Sequence, residues 1–240
     1  MELLSGILFI DIETVPVHPA FDMLSEGMQA EWVRKSKLIK VAPSQEEATP
    51  QSLFEDRAGI FSEFARIVCI SIGSIHQQED KHTIRLKSFA YDDERKLLDE
   101  FCEMVTKFNN RYKEIRFCGH NIKEFDIPFI CRRMIINNIG LPHCMQLAGK
   151  KPWEVSHIDT MELWKFGDHK NFTSLSLLAQ VFGIPTPKGD IDGSMVASVY
   201  WKDQDLPRIS AYCQKDVLTT AKVYLRLKGI NIELEEVYVA

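Results

Sequence analysis

"ILFIDIETVP", residues 7–16, is the stretch on which both the fold and the function turn. It begins as an apolar run and then places two carboxylates, Asp11 and Glu13, one residue apart inside it. Side chains alternate along a strand, so Asp11 and Glu13 share one face, roughly 7 Å apart along the backbone, while Leu8, Ile10 and Ile12 take the other. Two carboxylates on one face repel each other unless something positive lies between them. A strand running out into solvent before Pro16 would also explain them, so the choice depends on the rest of the chain.

Three more segments have strand character: 66–75, "RIVCISIGSI"; 83–91, "TIRLKSFAY"; and 114–121, "EIRFCGHN". Between the last two, residues 92–110 open with acids and space Leu97, Leu98, Phe101, Met104, Val105 and Phe108 along one helical face. Beyond residue 92 the pattern is mostly helical. Residues 205–229 read as a long helix begun by Asp205 and Pro207, ended by Gly229, with a core stripe of Ile209, Cys213, Val217, Ala221 and Tyr224. The tail "INIELEEVYVA" alternates and can add a short strand. This order predicts an α/β fold, a mixed sheet flanked by helices. Residues 17–62 are read as an insertion on a single domain spanning 1–240, with a helix over 23–36 and an exposed loop over 42–51.

The chain has 240 residues, 45% hydrophobic and 26% charged, the composition of a soluble globular protein. No membrane-length apolar run or signal sequence is visible, so a cytoplasmic protein without a membrane partner is expected. The cysteines, Cys69, Cys102, Cys118, Cys131, Cys144 and Cys213, form no CxxC pair and read as reduced, mostly core residues. A net charge of −5 means that any polyanion must be held by local bases or by bound cations.

Two further acids stand in suggestive settings. Asp126, in "GHNIKEFDIPF", precedes Pro128 at a helix start, where capping alone could account for it. Asp216 lies four residues after Tyr212, so the two share a helical face, and Asp216 alone could be a solvated acid. "TPKGDIDGS" repeats the Asp-x-Asp spacing in Asp190 and Asp192, but flanking glycines make it a loop, with Asp192 capping a helix that begins near Ser194. His157 and Asp159 of "SHIDT" fit a short strand that leads into a helix.

Taken together, "FIDIET", "GHNIKEFDIPF" and "YCQKD" resemble, in order and context, the three motifs of the DEDD 3′–5′ exonucleases, and most closely the exonuclease domain of family B DNA polymerases. Tyr212 four residues before Asp216, with Ala211 where the histidine variant would need His, points to the tyrosine subclass. The resemblance implies a ribonuclease H-like fold and metal-dependent hydrolysis of 3′ ends of single-stranded DNA, releasing nucleoside 5′-monophosphates in proofreading or repair. It implies two divalent ions, Mg²⁺ or Mn²⁺, held by Asp11, Glu13, Asp126 and Asp216, with Asp11 bridging both and Tyr212 orienting the attacking water. Thr14, Asn121 and Phe125 would touch the terminal nucleotides and Lys188 a phosphate; Lys123, Arg132, Arg133, Lys165 and Lys170 are further candidates for phosphate contact. A polymerase or repair protein would be a separate partner. An exoribonuclease of the same fold and an inactive nucleic-acid-binding module stay open as alternatives.

Overall fold

The computed structural model describes residues 4–40, 48–112, 114–168, 172–185 and 190–239. Its centre is a six-stranded sheet in the order β5-β4-β1-β2-β3-β6. The strands are β1 (Ile7–Pro16), β2 (Ala65–Gln78), β3 (Lys81–Ala90), β4 (Arg116–Gly119), β5 (Ile158–Asp159) and β6 (Leu234–Tyr238). β1, β2 and β3 pair antiparallel as a meander, and β4, β5 and β6 add in parallel to β1, β4 and β3. The mixed sheet expected from the sequence is therefore present. The run at 114–121 yields only four strand residues, because the chain turns away after Gly119.

The alternation in β1 splits the core in two. Leu8, Ile10 and Ile12 pack with Leu97, Leu98, Phe101 and Val105 of α3 (Glu94–Tyr112) and Ile130 and Met134 of α4 (Asp126–Ile136). Ile7 and Phe9 pack on the opposite face against Val217, Ala221 and Tyr224 of the long C-terminal helix, Leu206–Leu227. Burying each such side chain stabilises by about 1.5–3 kcal/mol relative to exposure, so β1 is clamped on both faces. Gly73 of β2 lets the helix approach, since a Cβ there would lie 2.9 Å from Val217 Cγ1.

Between β1 and β2 the chain forms α1 (Glu26–Ser36) and α2 (Pro50–Arg57) around Trp32, whose ring packs edge-on against Phe54 at 5.4 Å and Phe64 at 5.0 Å. The Val17 amide donates to the Phe64 carbonyl at 2.9 Å, so the excursion leaves and rejoins the sheet at one point. Only part of 42–51 lies among the described residues; there Thr49 caps α2, a helix that begins inside the stretch expected to be loop. Proline at the first helical position and the Thr49–Ser52 capping box account for it.

After β5 come α5 (Thr160–Lys165), α6 (Leu175–Val181) and α7 (Val196–Ser198), the last running into a π-helical turn, Val199–Asp203, before the long helix, α8. Asp205 caps α8 through the Arg208 amide at 3.1 Å, as its sequence predicts. No described helix is long and apolar enough to cross a membrane.

Candidate active site

The acids gather where β1 outlasts its neighbour. The β1–β4 pairing ends at Phe9 and Cys118, and β4 itself ends at Gly119. A Cβ on Gly119 would sit 1.9 Å from Ile122 Cγ2 and 2.9 Å from the Ile10 carbonyl oxygen, so only glycine allows the following loop to fold back against β1. That loop leads into α4 and delivers Asp126 to the exposed edge of β1, where the backbone amide of Ile12 donates to its carboxylate. Asp126 is the first residue of α4, and its carboxylate accepts from its own amide as well as from that of Ile12.

Asp159 fixes the same loop. Its carboxylate accepts from the amides of Asn121 at 2.9 Å and Lys123 at 3.2 Å while capping α5 through Met161 and Glu162. His120 bridges Thr160 Oγ1 at 2.9 Å and the Thr173 carbonyl at 2.7 Å. His157 stands apart from this network and accepts from the Phe117 amide at 3.4 Å. Thus "SHIDT" does form a short strand and helix start, and its aspartate also organises the loop that carries Asp126.

The first part of α8 supplies the rest. Glu13 and Asp126 are 7% and 3% exposed, and Asp11 is half-buried at the mouth. Burial raises Asp11 well above the usual carboxylate range, with repulsion from Asp126 and then Asp216 adding to it. Burial and the charges of Asp11 and Asp216 do the same to Glu13. Burial pushes Asp126 up to about 7 against the pull of its amide donors, and it also raises Asp216, which a hydrogen bond from Tyr212 partly offsets. Tyr212 is itself raised, by burial and then by the charge of Asp216, so its hydroxyl stays protonated. Among the described residues no cation relieves any of the four carboxylates.

The residues singled out in the sequence divide unequally. Asp11, Glu13, Asp126, Tyr212 and Asp216 come together. Asn121 adopts a left-handed backbone, φ 66°, and its side-chain oxygen is buried without a hydrogen-bond partner among the described residues. Phe125 packs on Phe129 at 5.4 Å and is half-buried. The Thr14 hydroxyl donates to the Gly59 carbonyl at 2.7 Å, tying the bulge after Glu13 to the segment between β1 and β2. Arg133 is withdrawn as a phosphate contact: it is 7% exposed and its guanidinium grips Glu94 through both Nε and Nη2. Lys123 pairs with Glu162 at 2.8 Å, Arg132 is exposed, and Lys165 ends α5 half-buried. Lys170 and Lys188 lie outside the described residues. Asp190 pairs with Arg208, and Asp192 accepts from the amide and hydroxyl of Ser194, so both are accounted for within their loop.

Cys213 has a place in the site that its position in the apolar stripe does not announce. Its thiol donates to Asp11 Oδ2 at 3.3 Å, and its sulfur lies with carboxylate oxygens of Asp11 and Glu13 within a span of 4.8 Å. Its adjacency to Tyr212 is the one sequence signal of that role.

Residues 60–239 match the family model described as "Predicted 3′-5′ exonuclease related to the exonuclease domain of PolB". The chain belongs to that family. The match begins after β1, so the assignment of Asp11 and Glu13 to the site rests on geometry. Among solved structures, the fold is similar to that of the family B DNA polymerase from the hyperthermophilic archaeon Pyrobaculum calidifontis, with a TM-score of 0.55 and 14% identity over 92% of this chain. The overlap covers 24% of the polymerase chain. The shared fold is the ribonuclease H-like one of a polymerase exonuclease domain. A search of the curated proteins found no match.

Proposed function

We propose that this chain is a cytoplasmic metal-dependent 3′–5′ exonuclease that hydrolyses the 3′ ends of single-stranded DNA to nucleoside 5′-monophosphates. The observation that supports this most directly is the meeting of four carboxylates, buried or half-buried, with no cation among the described residues to compensate them. Such a group is stable at neutral pH only if protonated or if external cations are bound. The donor set fits: carboxylate oxygens favour hard ions, Mg²⁺ or Mn²⁺, over softer ones. When bound, a pair of such ions supplies Lewis-acid stabilisation and an activated water for in-line displacement at a phosphodiester.

The chain's own residues then have distinct tasks. Asp11 and Glu13, clamped by β1 on both faces, hold cations from one side; Asp126 and Asp216 complete the ligand set from α4 and α8. Tyr212 keeps its proton, donates to Asp216 and orients the attacking water. Asn121, with its unpartnered side-chain oxygen, and Phe125, at the start of α4, contact the terminal nucleotide. Residues 17–62 are taken as an insertion after β1 on one exonuclease domain, a reading supported by the Val17–Phe64 closure. The test is timed digestion of matched 5′-labelled DNA and RNA oligonucleotides with Mg²⁺, Mn²⁺ or EDTA, alongside Asp11→Ala. Metal-dependent shortening of DNA from the 3′ end is expected. A strand left intact by the wild type would overturn the reading, and faster loss of RNA would move the substrate to RNA.

A further inference from the structure

We propose that the groove between the β5 edge, α5 and the C-terminal end of α8 is a polyanion track that holds substrate-strand phosphates upstream of the 3′ terminus. The inference rests on the exonuclease reading. The groove has a volume of about 390 Å³ and is lined by Arg116, Lys123 and Lys228 and by the acids Asp159 and Glu162, the latter paired with Lys123 at 2.8 Å. The three bases outnumber the two acids there by one, on a chain of net charge −5. Among the described residues neither Arg116 nor Lys228 makes an ion pair, and Lys228 Nζ sits 5.9 Å from the Tyr224 ring centroid. Asp159 also borders the groove, its carboxylate held by four neutral backbone amides, so it and Glu162 are both opposing charges, and among the described residues Arg116 and Lys228 are the bases of the groove without an acid partner.

The fields of these bases are felt inside the wall. His157 is pushed down to about 4 by burial first, against the Cys144 carbonyl, and then by Lys123 and Lys150. Burial and then the charge of Asp159 raise the Cys118 thiol, and Lys228 and Arg116 act against them.

Continuity with the acid cluster identifies the occupant. Lys123 lies three residues before Asp126 on the loop that Asp159 holds, so one rigid turn supplies both the groove and the candidate active site. Arg116 pairs in register with Ile7, four residues before Asp11, which puts the far end of the groove about 13 Å back along β1 at ~3.3 Å per residue. A strand ending among the acids must carry its remaining phosphates past positive charge, and a basic groove that follows the backbone is the usual means.

The test measures binding of a fluorescent single-stranded DNA 12-mer and of a trinucleotide across a salt series in Ca²⁺, using Arg116→Gln/Lys228→Gln and the exposed single variant Lys228→Gln. For the 12-mer, the slope of log affinity against log salt should fall by about 0.7 per cation removed, hence about 1.4 for the double variant. The trinucleotide should show no such change. If the double variant melts like wild type and keeps the 12-mer slope, the track is refuted, while wild-type digestion would leave the exonuclease reading standing. An equal loss with both probes would also refute it, placing these bases at the terminus. Wild-type failure to bind or cut any strand would sink the exonuclease reading instead.

Discussion

Glu94 and the acid cluster around Asp11 bury carboxylates in opposite ways. Glu94, at the start of α3, is 7% exposed, accepts from Arg133 Nε at 2.8 Å and Nη2 at 2.5 Å, and takes further bonds from the Ile67 amide and the Asn137 side chain. Arg133 spends its remaining arm on the Ser62 carbonyl at 2.9 Å. Every charge there has its counter-charge within the chain. Asp11, Glu13, Asp126 and Asp216 meet amides, a thiol and a phenol, but no cation among the described residues. A buried acid with an internal partner is architecture; a group of four without one is incomplete, and its missing charge must come from protons or from bound metal.

The contrast breaks most visibly under substitution. Asp11→Asn removes a ligand from the centre of the cluster, and exonuclease activity should fall at least a thousandfold, more than about 4 kcal/mol of barrier. The metal-free protein should melt at a higher temperature, because one repelling charge is gone. Arg133→Met should do the reverse: it strands Glu94 and costs about 3 kcal/mol, the low end for a broken buried pair, since the Ile67 and Asn137 donors remain. Its activity per folded molecule, measured below the melting transition, should be close to wild type. A stability loss in Asp11→Asn as large as that in Arg133→Met would erase the distinction.

Acidity sharpens the same comparison. Carboxylates whose folded values are raised make the folded state bind more protons than the unfolded one, so metal-free stability is lost as pH rises from the ordinary carboxylate value near 4 toward the folded values. For Asp126 that window runs up to about 7. Thermal melts in EDTA should therefore show stability dropping by a few kcal/mol between about pH 4 and 7, and saturating Mn²⁺ at pH 7.5 should restore it. Asp126→Asn should flatten part of that slope. A metal-free stability that instead rises with pH across this window would mean that the cluster is internally compensated.

Much of this was legible in the chain because local rules and the fold agree. β1 opens on four apolar residues as its burial on both faces requires, α8 starts at Asp205 and ends before Gly229, and the Tyr212–Asp216 spacing is a helical one. The failures have a common cause, since they concern which partner a polar group finds across the fold. Arg133 follows Arg132 in sequence, and nothing local distinguishes the one that turns inward to Glu94, 39 residues away. Asp159 is sufficiently explained as a helix cap until the loop at 121–123 is seen to share its carboxylate. Cys213 belongs to the apolar stripe of α8 and touches Asp11 only because β1 lies beneath it.

Tyr212 offers the smallest and most discriminating test. At the Glu94 site the hydrogen bonds accompany a full counter-charge, whereas at Asp216 the phenol is a neutral donor that can hold the carboxylate and lower its proton affinity without replacing a metal. Tyr212→Phe should then reduce activity by about 10- to 100-fold, the effect of losing a group that orients a metal ligand, with little change in melting temperature. Losing that donor also raises Asp216 further, so protons compete longer for the site as pH increases. Mn²⁺ affinity, measured by calorimetry, should fall more at pH 6 than at pH 8, because binding must displace those protons. An equal loss at both pH values would assign Tyr212 to the attacking water alone and leave Asp216 held by its own helix.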